Sequence, residues 1–134
     1  MRTSIHVLEW SSIYMTGIQS IDKDHQYLFE LVSKVLMQLT AGREVELLPL
    51  QKRLNTYAAE HFMREEQLMQ RYLPDWEQRA GHVREHRNYW GWIADLESTE
   101  APEELAESLK SWWSGHVLGW DKAMGLALQR ALHS

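Results

Sequence analysis

The chain has 134 residues, 14 of them Lys or Arg and 19 Asp or Glu, for a formal net charge of −5. That length suits a single domain over residues 1–134 with a core of its own, and the acidic balance argues against a nucleic-acid backbone or an anionic membrane as partner. Cysteine is absent, which excludes disulfides, thiolate metal sites and a Cys nucleophile, and the apolar runs fall far short of a membrane span. Met1 to Trp10 lacks the apolar stretch of a secretory signal. The expectation is a cytoplasmic protein with no membrane insertion.

Residues 1–19 read as an irregular N-terminal arm, with Ile5, Val7, Leu8, Trp10, Ile13 and Tyr14 packing over the rest. Ser20 is placed to cap a first helix over about 21–41, and Asp22 and Asp24 suit its positive end. Its inward stripe is Ile21, His25, Leu28, Val32, Val35 and Leu39, and Ala41-Gly42 ends it. A second helix spans about 47–72, with Pro49 tolerated near its start. Its stripe is Leu47, Leu50, Leu54, Ala58, His61, Glu65, Leu68 and Tyr72. Leu73-Pro74-Asp75 makes the break. A third helix spans about 76–96, with His82, His86, Tyr89, Ile93 and Leu96 inward. Ser98 to Pro102 connects it to a fourth over about 103–132, with Leu105, Leu109, Trp112 and His116 inward. Gly115, Gly119 and Gly125 argue against a regular helix throughout that last element. Four helices with short connectors predict an all-α, antiparallel up-down four-helix bundle.

The inward stripes carry residues that a core does not want. His25, His61, Glu65, His82, His86, His116 and Asp121 all point to the interior, and buried polar groups are costly unless satisfied. A metal cluster satisfies all of them at once. His61 and Glu65 are one helical turn apart on one face, as are His82 and His86. Imidazole with carboxylate and no thiolate suits iron, ahead of manganese, copper or zinc. If Glu65 and Asp121 bridge two metals together with one solvent oxygen, five imidazoles leave the two octahedra one bond short. That open position falls on the metal with fewer histidines and would take a small diatomic ligand.

Asp121 is the awkward member, because i+5 from His116 leaves the two side chains about 140° apart on a regular helix. Either the helix carries a π-bulge there, eased by Gly119, or a wide cluster accommodates the offset. His6, His133, Glu66 and Glu85 lie off the stripes and are expected in solvent. Met63 and Met69 read as ordinary helix core or surface, and the seven Trp as bulk for the core. His82-Val83-Arg84-Glu85-His86 also fits an inverted zinc-protease pattern, H-x-x-E-H. That reading leaves His25, His61 and His116 unused. A ferritin-like oxidase is the nearer rival, but such sites are rich in carboxylate and space Glu and His at i, i+3.

Taken together, these motifs resemble the bacterial hemerythrins. The matching residues are Trp10, Gly17-Ile18-x-x-Ile21-Asp22-x-x-His25-x-x-Leu28, His61-Phe62-x-x-Glu65-Glu66-x-x-Met69, His82-x-x-x-His86 and Trp112-x-x-x-His116-x-x-x-x-Asp121-Lys122. The resemblance implies two Fe ions per chain with a bridging oxo or hydroxo group. His82, His86 and His116 would hold one iron, His25 and His61 the other, and Glu65 and Asp121 would bridge. It implies dioxygen as the ligand, with Leu28, Phe62, Trp112 and Leu118 as the apolar oxygen pocket. The implied function is oxygen storage or delivery, not an enzyme, with a protein acceptor or reductase as the further partner. The alternatives are sensing of oxygen, nitric oxide or redox state through a partner, and reduction of peroxide or nitric oxide at the same site. No signalling domain is fused within these residues, which favours storage or delivery.

Overall fold

A computed structural model describes residues 8–41, 44–96 and 102–133. The expectations for Ile5, His6, Val7, Gly42, Ser98, Thr99, Glu100 and Ala101 lie outside the described residues, as do the side chains of Leu47, Leu96 and Leu105. Every regular element among the described residues is helical. Helix α1 is Gln19–Ala41, α2 Glu44–Tyr72, α3 Arg79–Leu96, α4 Pro102–His116 and α5 Lys122–Leu132. A short 3-10 turn, Ser12–Tyr14, precedes α1, and a π-helical segment, Val117–Asp121, joins α4 to α5. Helix α1 packs on α2 and α4, and α2 packs on α3 and α5. None of the described helices is long and apolar enough to cross a membrane.

The apolar stripes close into two cores. Leu28, Val32, Val35, Leu54, Ala58, Phe62, Tyr89, Leu109 and Trp113 belong to the larger one. Ile21, Met69, Leu73, Met124 and Leu128 form the smaller. Several boundaries differ from the sequence reading. Ser20 lies inside α1 rather than capping it, and is exposed. Asp22 does the local work instead. Its carboxylate accepts from the Thr16 N–H and hydroxyl at 2.7 and 2.8 Å and from the Gly17 N–H at 3.2 Å. Helix α3 starts three residues later than expected, because two tight turns follow Leu73.

The arm is only partly packed. Leu8 is buried and Trp10 and Tyr14 lean on the larger core, but Ile13 is 56% exposed. Tyr72, expected inward, ends exposed at the last turn of α2. On α4 the fully buried indole is Trp113, while Trp112 is half-buried. Gly17 turns the chain at φ +87°, a conformation that favours glycine. Gly125 lets the arm approach α5, since a Cβ there would lie 2.5 Å from the Thr16 carbonyl oxygen.

Candidate metal centre

The seven predicted residues meet between the helices, and all are buried. Helix α1 brings His25, α2 His61 and Glu65, α3 His82 and His86, and α4 His116. Asp121 arrives through the π-helical segment. The Lys122 N–H bonds to the Val117 carbonyl, five residues back. That wider turn brings i+5 nearly over i, so the bulge is the device that places Asp121 beside His116. Their closest atoms, His116 Nε2 and Asp121 Oδ1, are 3.2 Å apart.

The donors form two groups that share both carboxylates. One is His82, His86 and His116 with Glu65 and Asp121; the other is His25 and His61 with the same two acids. Each acid gives one oxygen to each side. Glu65 Oε1 faces His86 Nε2 at 3.1 Å, and Oε2 faces His61 Nε2 at 3.0 Å. Asp121 Oδ1 faces His82 Nε2 at 2.9 Å, and Oδ2 faces His25 Nε2 at 2.9 Å.

These contacts are short, yet most lack hydrogen-bond geometry. Both Glu65 oxygens, Asp121 Oδ2 and the Nε2 atoms of His25, His61, His86 and His116 are buried without a hydrogen-bond partner. Orphaned buried polar atoms are rare in folded proteins. Lone pairs aimed at a common point account for them. Two donors about 2.1 Å from an ion and at right angles are about 3 Å apart, which is the spacing found. The donor set fits a pair of cations.

Electrostatics in the metal-free fold point the same way. Burial pushes His61 down, but the Glu65 charge and the bond to Asp24 outweigh it and hold the imidazole at about 10. Burial likewise opposes the rise at His82, where Asp121 and Glu65 raise it to about 9. His25 and His116 are also raised, against burial, by their carboxylate neighbours. Burial drives Glu65 and Asp121 upward, yet the imidazoles hold both well below the usual carboxylate range. The cluster therefore holds protons where cations would sit, and cation uptake must release them.

The outward ring nitrogens show what sequence reasoning missed. Asp24, read only as a helix-end charge, accepts from His61 Nδ1–H at 3.0 Å. The same carboxylate also accepts from the Tyr57 hydroxyl at 2.8 Å and from Arg64 Nε and Nη2 at 2.8 and 3.0 Å. Tyr57, His61 and Arg64 lie at i−4, i and i+3, so their shared face was available as a signal. Glu66 and Glu85 were expected in solvent, and both are corrected. Glu66 accepts from His86 Nδ1–H at 2.8 Å, because its side chain spans the gap between α2 and α3. Glu85 is half-buried, with Oε1 3.9 Å from His116 Nδ1, and the His116 imidazole beside it lowers its carboxyl. His133 is exposed, as expected; Met69 is core and Met63 surface.

Of the four apolar residues assigned to a pocket, Leu28 and Phe62 are buried and Trp112 is half-buried. Phe62 stacks on His86 at 4.1 Å, and Trp112 on His116 at 4.6 Å. Leu118 is 41% exposed, so it is not part of a buried wall. The family model described as the Hemerythrin HHE cation binding domain matches residues 16–127. No curated protein matches the chain.

Proposed function

The chain belongs to the hemerythrin HHE cation-binding domain family, and from that footing we propose that it binds dioxygen reversibly at a pair of irons. The observation that carries this reading is the sharing of Glu65 and Asp121 between the two donor groups. His82, His86 and His116 would hold one iron, and His25 and His61 the other. Two irons, when bound, supply the electrons that dioxygen takes up on binding and returns on release. The antiparallel up-down order of the helices and a bridging oxo or hydroxo group belong to the same proposal.

The side chains divide the remaining work. Glu65 and Asp121 hold the two ions at a fixed separation and balance their charge. Asp24 and Glu66 take the outer ring N–H of His61 and His86, which fixes the tautomer that leaves Nε2 free as a donor. By ligand count, an ion held by His25, His61 and the two shared acids would keep one position for a further ligand. Phe62 and Trp112 stack on two of the imidazoles and Leu28 is buried in the larger core, an apolar lining that would give entering water few partners. Leu118 would lie at the outer rim of that surface. Neutral imidazoles outnumber carboxylates, which favours return of oxygen over its activation. Storage or delivery is therefore the reading we favour over catalysis, with a protein acceptor or reductase as the further partner.

Elemental analysis after anaerobic loading should give about two irons per chain. An optical titration that cycles oxygen should then show a reversible charge-transfer band. One zinc per chain, kept on His25→Ala, with a hydrolytic activity abolished by Glu85→Gln, would replace this reading with a hydrolase. Steady turnover of peroxide or nitric oxide without a reversible band would replace it with an enzyme.

A further inference from the structure

Seven tryptophans are many for 134 residues, and four of them gather round Tyr89 on one flank of the centre. Trp112 stacks on His116 with 4.6 Å between centroids and 10° between planes. Trp92 stacks in turn on Trp112, at 6.3 Å and 19°. Tyr89 bridges the pair, 4.5 Å from Trp112 and 5.8 Å from Trp92. Trp92 is half-buried, so the series ends at the surface. The other tryptophans near a ligand are set differently. Trp10 is tilted by 44° at 6.3 Å from His25, and Trp120 by 44° at 5.7 Å from His82.

Indole and phenol are, with no cysteine in the chain, the side chains most easily oxidised by one electron, giving radicals that keep their ring skeleton intact. Near-parallel rings in contact pass such a vacancy readily from one to the next. We propose that Trp112 and Trp92 form an electron relay that carries an oxidising equivalent from the metal centre to the surface. The relay rests on the metal reading above and adds a protective function to it.

The oxidant is hydrogen peroxide, the by-product when reduced oxygen escapes an oxygen carrier. Its O–O bond breaks, and it takes up two electrons and two protons to become two waters. Each of the two electrons leaves the Trp112 indole and is replaced from Trp92, so the metals supply none in the net step. The Trp92 indole N–H releases its proton to solvent. A soluble one-electron donor of the ascorbate class, with a proton from water, restores Trp92. Two passes balance one peroxide, and the protein ends unchanged. Without the relay, the vacancy would stay beside His116 and damage the ligand set.

The test uses iron-loaded protein, one equivalent of hydrogen peroxide and rapid freezing. Electron paramagnetic resonance should show a tryptophan radical, and mass spectrometry should find oxidation concentrated at Trp92. Trp92→Phe should lose most of that radical and move the damage inward to Trp112 and His116. Trp76→Phe, in the smaller core, should behave as wild type. Unchanged radical yield and unchanged damage in Trp92→Phe would overturn the relay while leaving the metal reading intact. A chain that takes up no iron would count against the metal reading, and photo-oxidation of the metal-free chain by a soluble ruthenium sensitiser then decides the relay. Trp92→Phe should protect Trp112 from that oxidation; equal oxidation of Trp112 with and without Trp92 overturns it.

Discussion

The two sides of the centre use the same ring nitrogens but orient them by different means. On the two-histidine side, His61 is tied down by hydrogen bonding. Asp24 holds it within a network that includes Arg64 and Tyr57, and only 9% of the Asp24 side chain is exposed. On the three-histidine side, rings do much of the positioning. Phe62 lies flat on His86, and Trp112 flat on His116. The acids behind those histidines are wetter: the Glu66 side chain is 37% exposed and that of Glu85 29%. Hydrogen bonds to charge fix direction and raise ligand basicity, whereas stacking fixes the ring plane and excludes water. The two-histidine group thus has the more buried carboxylate behind it, and the three-histidine group has the more extensive ring stacking.

The largest test removes a ligand from each side. His61→Ala leaves its ion one imidazole, and metal content should fall to about one ion per chain. His82→Ala leaves two imidazoles and both shared acids on its side, so the loss should be partial and reversed at higher metal concentration. Elemental analysis after dialysis checks both. Equal losses would mean that the two sides are not separate nests.

The acids behind the ligands should differ next. Asp24→Asn leaves His61 with a neutral partner and strands the Arg64 guanidinium, and metal affinity on that side should fall about 10–100-fold. Glu66→Gln acts through a carboxylate more than a third exposed, where solvent already screens the pair, so its effect should be smaller, at most about tenfold. Competition against a chromophoric chelator measures each. A larger effect from Glu66 would reverse the contrast between the two sides.

Much of this asymmetry was hidden in the sequence. The buried donor cluster was legible because His25, His61, Glu65, His82 and His86 fall on apolar stripes at helical spacing. Asp121 was legible only with its problem attached, since the spacing called for either a bulge or a wide cluster. The π-helical segment resolves it in favour of the bulge. The outer acids were not legible by the same rule. Angular position around one helix sends Glu66 and Glu85 to solvent, but their partners lie on other helices and the side chains are long enough to reach them. Leu118, read with the apolar pocket, lies in that same π-helical segment and is 41% exposed. Interhelical reach and local helix widening are tertiary facts.

Acidity sharpens the comparison further. In the metal-free fold His61 titrates at about 10 and His82 at about 9, against about 6.5 when unfolded. Raised imidazoles stabilise the fold fully below that unfolded value, and their contribution is lost as pH climbs through the folded values. Metal-free stability should therefore decline from about pH 6.5 towards pH 9 and 10, while metal affinity rises across the same interval as protons leave the donors. Denaturant melts of the metal-free chain and metal titrations, both across that range, check the opposed slopes. Asp24→Asn should flatten the stability slope more than Glu66→Gln does, because Asp24 helps hold the proton on His61. A metal-free chain that gains stability between pH 7 and 9 would contradict the assignment of protons to the two sides.

The smallest expected effect tests whether a glycine is needed where the helix widens. A Cβ at Gly119 would meet nothing within 4 Å. Its φ is not in the positive range, which among the described residues only Gly17 occupies. Nothing in the packing therefore requires glycine at that point, despite its place between His116 and Asp121. Gly119→Ala should stabilise the protein by about 0.4–1 kcal/mol, by restricting the unfolded chain, and should leave metal content unchanged. Gly125→Ala is the contrast. Its Cβ would sit 2.5 Å from the Thr16 carbonyl oxygen and 2.8 Å from the Thr16 Cβ. Thr16 is held by Asp22 through two short hydrogen bonds and cannot easily withdraw, so overpacking should cost about 1–3 kcal/mol. Thermal melts with parallel metal analysis separate the cases. If Gly119→Ala instead loses metal on both sides, the alanine has driven the segment back to a regular helix and carried the shared Asp121 away from both nests. Glycine would then be what keeps the turn wide, and the preference of Asp121 for its imidazole partners would be too weak to hold it there alone.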